Sequence, residues 1–488
     1  MSKATVAVVV LTCLVVTARA ADDPSTKTEN FDRDPQWDRS NNRPADRNDQ
    51  PVTVRQDFGH RPTAHAGGKP GEAGGFVFAA AEPAWYAKVI AEQTLERPLL
   101  ASGTLAVADG ATNLLLGFFN ASTAKEWRTA NSLALRINGR GDHFYAYLEY
   151  CTSQWRAGAD SPTPFPFVED PQTGRKSPAG FPAGMKRYRW ELRYDPAGKN
   201  GAGAMTATIG GHTSVCHLDA GHKADGATFN RFGLINVMKS ADSGGEVYID
   251  DVVVNGAAET FDADPRWDGH GNRTTFATNN VRPRFDFGFS PTHFAGGKGA
   301  GELGGLFFRG DCRYPDRMAY YADRVGPLSL DKPLRAAGKV ALRRGVSDST
   351  TLLGFFDRAA AMRSNPSQNQ ALPEGVVGIN VEGPSSEGFC LYPVIRLPSR
   401  DGAVSPELRK LRILPDGASH DWTFHYDPAG AEGRGRITVA LDGRSIHLDL
   451  KEGDKVAGAR FDRFGLVTPW IDGNGQVVYF DDVTYTTR

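Results

Sequence analysis

Five side chains recur in the same order in each half of the sequence: Arg43, Asp57, Lys69, Glu72 and Tyr86, then Arg273, Asp286, Lys298, Glu302 and Tyr321. Guanidinium and carboxylate groups make bidentate hydrogen bonds to sugar hydroxyls or acidic sugars, and a tyrosine ring offers a face to a pyranose. The same groups can also serve internally, as arginine-carboxylate bridges that hold a loop wherever the fold is repeated. A second recurring set is acidic: Asp32 and Asp34 with Asp262 and Asp264 near the start of each half, and Asp250-Asp251 with Asp481-Asp482 near the end. Aspartates in such places cap turns, or together supply hard oxygen donors to a cation.

Other candidates lack a counterpart in the repeat. The first half carries His65, Trp127, His143, Tyr147, Glu149 and Trp155; the second carries His293, Arg309, Asp311, Glu382, Glu387 and Tyr392. Tyr147 and Glu149 stand two apart on an alternating stretch, so they share one face of a strand. Glycoside hydrolysis requires two carboxyl groups, about 5–5.5 Å apart for retention or about 6.5–9.5 Å for inversion. Glu382 and Glu387 are near in sequence but separated by Gly383-Pro384. Eliminative cleavage of an acidic polysaccharide instead needs a tyrosine or histidine base beside a cation, which Tyr147, His143 and Arg136, or Tyr392 with Arg396, can supply. The glycine pairs Gly67-Gly68 and Gly74-Gly75 lack phosphate-loop spacing. No Gly-x-Ser-x-Gly and no zinc-ligand spacing occurs.

The elements that must position these groups are written twice. Glu29-Asn-Phe-Asp-Arg-Asp-Pro-Gln-Trp-Asp38 returns 230 residues later as Glu259-Thr-Phe-Asp-Ala-Asp-Pro-Arg-Trp-Asp268. Leu116-Gly-Phe-Phe119 matches Leu353-Gly-Phe-Phe356, and each copy closes on Tyr-x-Asp-Asp-Val, at Tyr248 and Tyr479. These spans predict two domains, 21–256 and 257–488, each with its own opening and closing strands. Trp190-x-Leu192-x-Tyr194 and Ile437-x-Val439-x-Leu441 alternate as strands do, and Asp442-Gly443 is a hairpin signal. With 55 glycines and 30 prolines punctuating short apolar runs, the class is all-β, with two tandem antiparallel sandwiches of ten or more strands each.

The order W-x-hydrophobic-x-Y-D-P, a glycine-led strand with an LDG-like turn, F-[ND]-R-F-G-L and a final Y-[IF]-D-D-V resembles the concanavalin A-like, or laminin-G-like, jelly roll. That fold occurs in lectins, glucanases and many secreted bacterial glycan-active proteins. The resemblance implies a carbohydrate groove on a curved sheet and structural calcium, for which Asp32, Asp251, Asp262 and Asp482 are the expected ligands. The Glu-x-Asp-x-Glu strand of the jelly-roll glucanases is missing here. The expected function is a secreted polysaccharide-binding protein with one groove per jelly roll. A polysaccharide-cleaving lyase or hydrolase, with its site in one copy, and a structural or adhesive surface module are the alternatives. The expected ligand-binding residues are Arg43, Asp57, Glu72, Tyr86, Tyr147 and Glu149 in the first copy, and Arg273, Asp286, Glu302, Tyr321, Glu382 and Tyr392 in the second.

Lys3, the apolar run Val6 to Val16 and Ala18-Arg19-Ala20 read as an export signal cleaved after Ala20, placing the chain in the periplasm or outside the cell. The formal net charge of −1, made two units more negative when Lys3 and Arg19 leave, gathers neither nucleic acid nor an anionic membrane. No later run reaches the roughly 18 apolar residues of a membrane span. Export would permit a disulfide between Cys151 and Cys216 and another between Cys312 and Cys390; buried thiols are the other reading.

Overall fold

A computed structural model describes residues 25–43, 51–159, 165, 167–169, 171–172, 176–366, 370–455 and 458–488. The expected export signal and Cys13 lie outside them. Among the described residues, no helix is long and apolar enough to cross a membrane. The chain forms two antiparallel β-sandwiches, each with a sheet that holds the repeat's closing strand and a second sheet facing it. The core between them is the inward half of each alternating strand. Leu116, Phe118, Leu135, Leu148, Phe232 and Trp190 pack together in the first sandwich, and Leu353, Phe355, Ile379, Phe464 and Trp422 in the second. Cys151, Cys216, Cys312 and Cys390 are all free and buried.

The expectation that each repeat keeps its own opening strand is corrected by the pairing. Ser25–Glu29 lies antiparallel on Gly475–Thr487, the last strand of the chain, with Ser25 opposite Thr487 and Glu29 opposite Val483. Asp38–Ser40 adds to Tyr320–Ser329 of the second sandwich. The second repeat's opener stays beside the strand that precedes it. Asn255-Gly256 turns Gly244–Val254 back into Ala257–Glu259, and both turn residues have positive φ. Asp268–His270 and Arg273–Thr278 then join the two sheets of the first sandwich. Each sandwich is thus completed by the opener of the other repeat, and a boundary at 256/257 cuts through the first sandwich.

The physical reason is that a tight turn takes the second opener to the nearest acceptor, leaving the first opener only the acceptor at the far end of the chain. Both openers dock alike. Phe31 and Trp37 are buried in the second core, with Trp37 5.7 Å from the ring of Tyr321 and 5.9 Å from that of Tyr485. Phe261 and Trp267 are buried in the first, with Trp267 5.6 Å from Tyr86. Asp38 receives Arg463 Nη2 at 2.7 Å, and Asp268 receives Arg231 Nε at 2.8 Å. Phe31 and Phe261 sit at φ 52° and 56°, a left-handed conformation that only strong burial maintains in a phenylalanine.

Thr28 and Thr484 face each other across the new pair, their hydroxyl oxygens 2.9 Å apart. Oxidising a Thr28→Cys, Thr484→Cys variant should give an intramolecular disulfide, read by non-reducing electrophoresis and intact mass. Thr28→Cys with Val253→Cys, the pair that a self-contained first repeat would place together, should stay reduced.

Candidate glycan-binding face

The repeated charged set is used for construction, and it is used across the repeats. Arg43 bonds Asp286 at 2.8 Å and the Phe289 carbonyl at 2.5 Å, while Arg273 sits opposite Asp57 in register and bonds the His60 carbonyl at 3.1 Å. Asp57 itself is held by Arg55 and Arg61. The Tyr86 hydroxyl donates to Asp264 at 3.1 Å and that of Tyr321 to Asp34 at 2.9 Å, each phenol pinning an exchanged opener. Burial and then the facing aspartate hold both phenols above their ordinary range, the opposite of what a general base needs. Glu72 and Glu302 are fully buried. Glu72 accepts from the amides of His65 and Ala66, and Glu302 from those of Phe294 and Ala295, which folds each glycine loop over its sheet.

The aspartates expected to bind calcium also regroup by exchange. Asp262 is near enough to Asp250 to act on its charge, and Asp32 borders the same glycine loop, residues 297–299, that Asp481 and Asp482 cap. Asp251 and Asp482 occupy the left-handed region, φ 50° and 47°, at a bulge that breaks register in each closing strand. A Cβ on Gly67 or Gly297 would collide with the Asp250 or Asp481 carboxylate, so only glycine lets the loop approach. Asp481 accepts from the amides of Gly297 and Asp482, and Asp482 from that of Lys298, which is turn capping. Burial, then neighbouring acids, push Asp250 and Asp481 up to about 6. Among the described residues, no three acidic, histidine or cysteine side chains gather around one point. The carbonyls of Phe261, Asn30 and Phe31 edge the same glycine loops.

The unrepeated residues assemble on the hairpin Ser132–Arg140 and His143–Cys151, where alternation sends Leu133, Leu135, Ile137 and Leu148 into the core. Arg136, Tyr145, Tyr147 and Glu149 therefore face outward. The Arg136 guanidinium lies 4.6 Å from the ring centroids of both Trp127 and Tyr147, a double cation–π stack. Glu149 fixes it, taking Arg136 Nη1 at 3.0 Å and the Trp127 indole N–H at 2.8 Å. Arg128 approaches the same carboxylate at 3.9 Å. Tyr145 and Tyr147 are half-buried and Arg140, 5.9 Å over the Tyr145 ring, is exposed. His143 bonds Asp142 at 2.7 Å and stands four residues from Tyr147, about 13 Å along an extended strand.

Tyr392 occupies the matching place in the second sandwich. Leu116 pairs with Leu135 as Leu353 pairs with Ile379, and one residue on, Tyr147 faces Arg136 as Tyr392 faces Asn380. There the face is closed. Tyr392 and Asn380 are each 4% exposed, and Gly388–Arg396 is buried along its whole length. Tyr392 donates to Glu382, which also holds Arg309 at 3.0 Å. Glu387 is engaged separately, by Arg409 at 2.6 Å. Among the described residues, the face at Tyr147 is partly exposed where its counterpart at Tyr392 is buried.

No family model and no curated protein matches the chain. Among solved structures, the chain is similar to the LG4-5 domains of the mouse laminin α1 chain, at 10% identity and a TM-score of 0.22 over 84% of this chain and 92% of that one. It is also similar to an alginate lyase from a Chlorella virus, at 12% identity and a TM-score of 0.27, covering 38% and 85%. A third is the carbohydrate recognition domain of Emp47p, at 10% identity and a TM-score of 0.26, covering 43% and 90%. Likeness this slight concerns the fold alone, and nothing about ligands follows from it.

One residue beside this face carries no signal in the sequence. Glu126, next to Trp127 in an irregular segment with no periodicity to flag it, is 1% exposed, and neither carboxyl oxygen has a hydrogen-bond partner among the described residues. Burial pushes its acid well above the ordinary range, outweighing Trp155 and the nearby Arg344 and Lys125. The unfolded chain ionises this group near 4.5 while the folded chain holds the proton, so stability falls as pH rises above that value. Glu126→Gln should therefore raise the thermal midpoint, with a gain near zero at about pH 4 that grows as pH rises above the unfolded value. A gain independent of pH would contradict the assignment.

Proposed function

We propose that this protein binds acidic glycans outside the cytoplasm through the outward face of the Ser132–Arg140 and His143–Cys151 hairpin. The observation that carries the reading is the Trp127–Arg136–Tyr147 stack locked by Glu149. It underlies a half-buried aromatic surface of Tyr145 and Tyr147, beside which Arg140 is the exposed cation. Aromatic faces accept sugar rings and guanidinium groups pair with uronate carboxylates.

Binding is favoured over cleavage by the same contacts. In a lyase Arg136 would neutralise the substrate carboxylate, but its charge is already met by Glu149. His143 is too far from Tyr147 to share a proton with it. Incubation with a panel of polyuronates and neutral glucans should give neither unsaturated products nor new reducing ends, while polyuronate beads retain the protein. Product formation lost in Tyr147→Phe would replace binding with eliminative cleavage.

Calcium belongs to this reading as a structural ion beside Asp251 and Asp262 in one sandwich and Asp482 and Asp32 in the other. A chelator should then lower the thermal midpoint and added calcium restore it. An unchanged midpoint would remove calcium from the account. Export is likewise proposed, and the secreted chain should begin at Ala21 by N-terminal sequencing.

A further inference from the structure

A cavity of about 390 Å³ lies on the seam between the sandwiches, walled by Arg156, His222 and Asp225 from the first and by Ser386, Arg409 and Arg412 from the second. Its size falls in the range of about 300–1,000 Å³ usual for small-molecule sites. The walls are already fixed. Arg156 forks onto Asp225, Nε to Oδ2 at 2.6 Å and Nη2 to Oδ1 at 2.8 Å, and Thr152 donates to the same carboxylate at 3.0 Å. Arg409 holds Glu387 at 2.6 Å, and Arg412 donates to the carbonyl of Gln154.

His222, 1% exposed, ties the two sides together. Its Nε2 lies 3.0 Å from the Ser386 carbonyl and its Nδ1 2.9 Å from the Tyr150 hydroxyl. A carbonyl only accepts, which places the ring proton on Nε2 and makes Nδ1 the acceptor. Burial, then Arg156, keep the ring below its ordinary pKa and hence neutral. None of this belongs to the repeated framework. Lys223 and Lys455 make the same carbonyl bonds in the two copies, but the residue before them is His222 in one and Asp454, a cap for the Lys451 amide, in the other.

The charges in the cavity balance, three arginines against Asp219, Asp225 and Glu387, so that both donors and acceptors line it. An anion would meet three carboxylates and a cation three arginines, and an apolar group would cover charged walls without replacing their water. Vicinal hydroxyls, each both donor and acceptor, suit such a wall. We infer that the seam cavity binds a neutral saccharide unit, a second subsite that rests on the glycan reading above but is built from different residues. Because both sandwiches supply contacts, the ligand would also stabilise their mutual arrangement.

The test is saturation-transfer NMR on the full chain with the methyl glycosides of glucose, galactose and mannose, with glucuronate and inorganic sulfate as anionic arms. One of the neutral glycosides should bind, and Arg412→Gln and Asp219→Asn should each weaken it about tenfold or more, the loss expected when one charge-assisted hydrogen bond is removed. Retention on polyuronate should be unchanged in both. No binding by any neutral glycoside, tighter binding of glucuronate or sulfate, or undiminished affinity in both variants would overturn the inference. If Arg412→Gln melts early, Asp219→Asn, at an exposed position, decides alone. Seam binding that persists while polyuronate retention fails would refute the hairpin face and leave this subsite standing.

Discussion

Trp37→Ala should destabilise the second sandwich by about 3–5 kcal/mol and leave the first intact, although Trp37 lies in the first repeat. Its ring is 5% exposed among Phe31, Tyr321 and Tyr485, so truncation opens a cavity in that core. Hydrogen exchange localises the effect. Amide protection should fall in Tyr320–Ser329 and Gly475–Thr487 and persist in Trp85–Thr94 and Thr228–Asn236. Trp267→Ala should give the mirror image. Both indole N–H groups are buried without a partner among the described residues, so Trp37→Phe and Trp267→Phe should cost far less than alanine. Loss of protection in a mutant's own repeat would mean that the openers are not exchanged.

Glu149→Ala should cost a comparable amount, about 3–5 kcal/mol, because it leaves the Arg136 guanidinium without its counter-charge in a largely buried setting. The Arg136 and Glu149 side chains are 12% and 5% exposed, too enclosed for water to replace the lost partner. Arg136→Met should be destabilising for the converse reason. The double variant Arg136→Met, Glu149→Leu should be less damaged than the sum of the two, since it removes both charges together. Thermal or denaturant unfolding of the four proteins gives the coupling directly. Additive losses would mean that the carboxylate and guanidinium do not depend on each other, and the preorganised stack would lose its physical basis.

The sequence makes the duplication and the sandwich class legible because both rest on local signals: alternation in Trp190–Tyr194, the Asp442-Gly443 turn and the recurring closing motif. Which opener completes which sandwich is not legible. Glu29–Asp38 and Glu259–Asp268 are similar enough to dock on either acceptor, and only the two-residue turn at Asn255-Gly256 breaks the tie. The same symmetry made Arg43 and Glu72 look like ligand-binding residues when they hold the opener and the glycine loop. Tyr147 and Tyr392 are unrepeated in sequence but matched in the sheets, because the segments before their strands differ in length. Glu149 is legible as a strand-face residue; its partners, Trp127 and Arg136, lie outside any local pattern.

Affinity electrophoresis in gels containing a polyuronate tests the central claim most directly. The wild-type protein should be retarded by the polyuronate more than by a neutral glucan, and the retardation should disappear in a Tyr145→Ala, Arg140→Ala variant whose outward side chains contribute little to the core. No retardation by the polyuronate, or equal retardation of wild type and variant, would contradict glycan binding at this face.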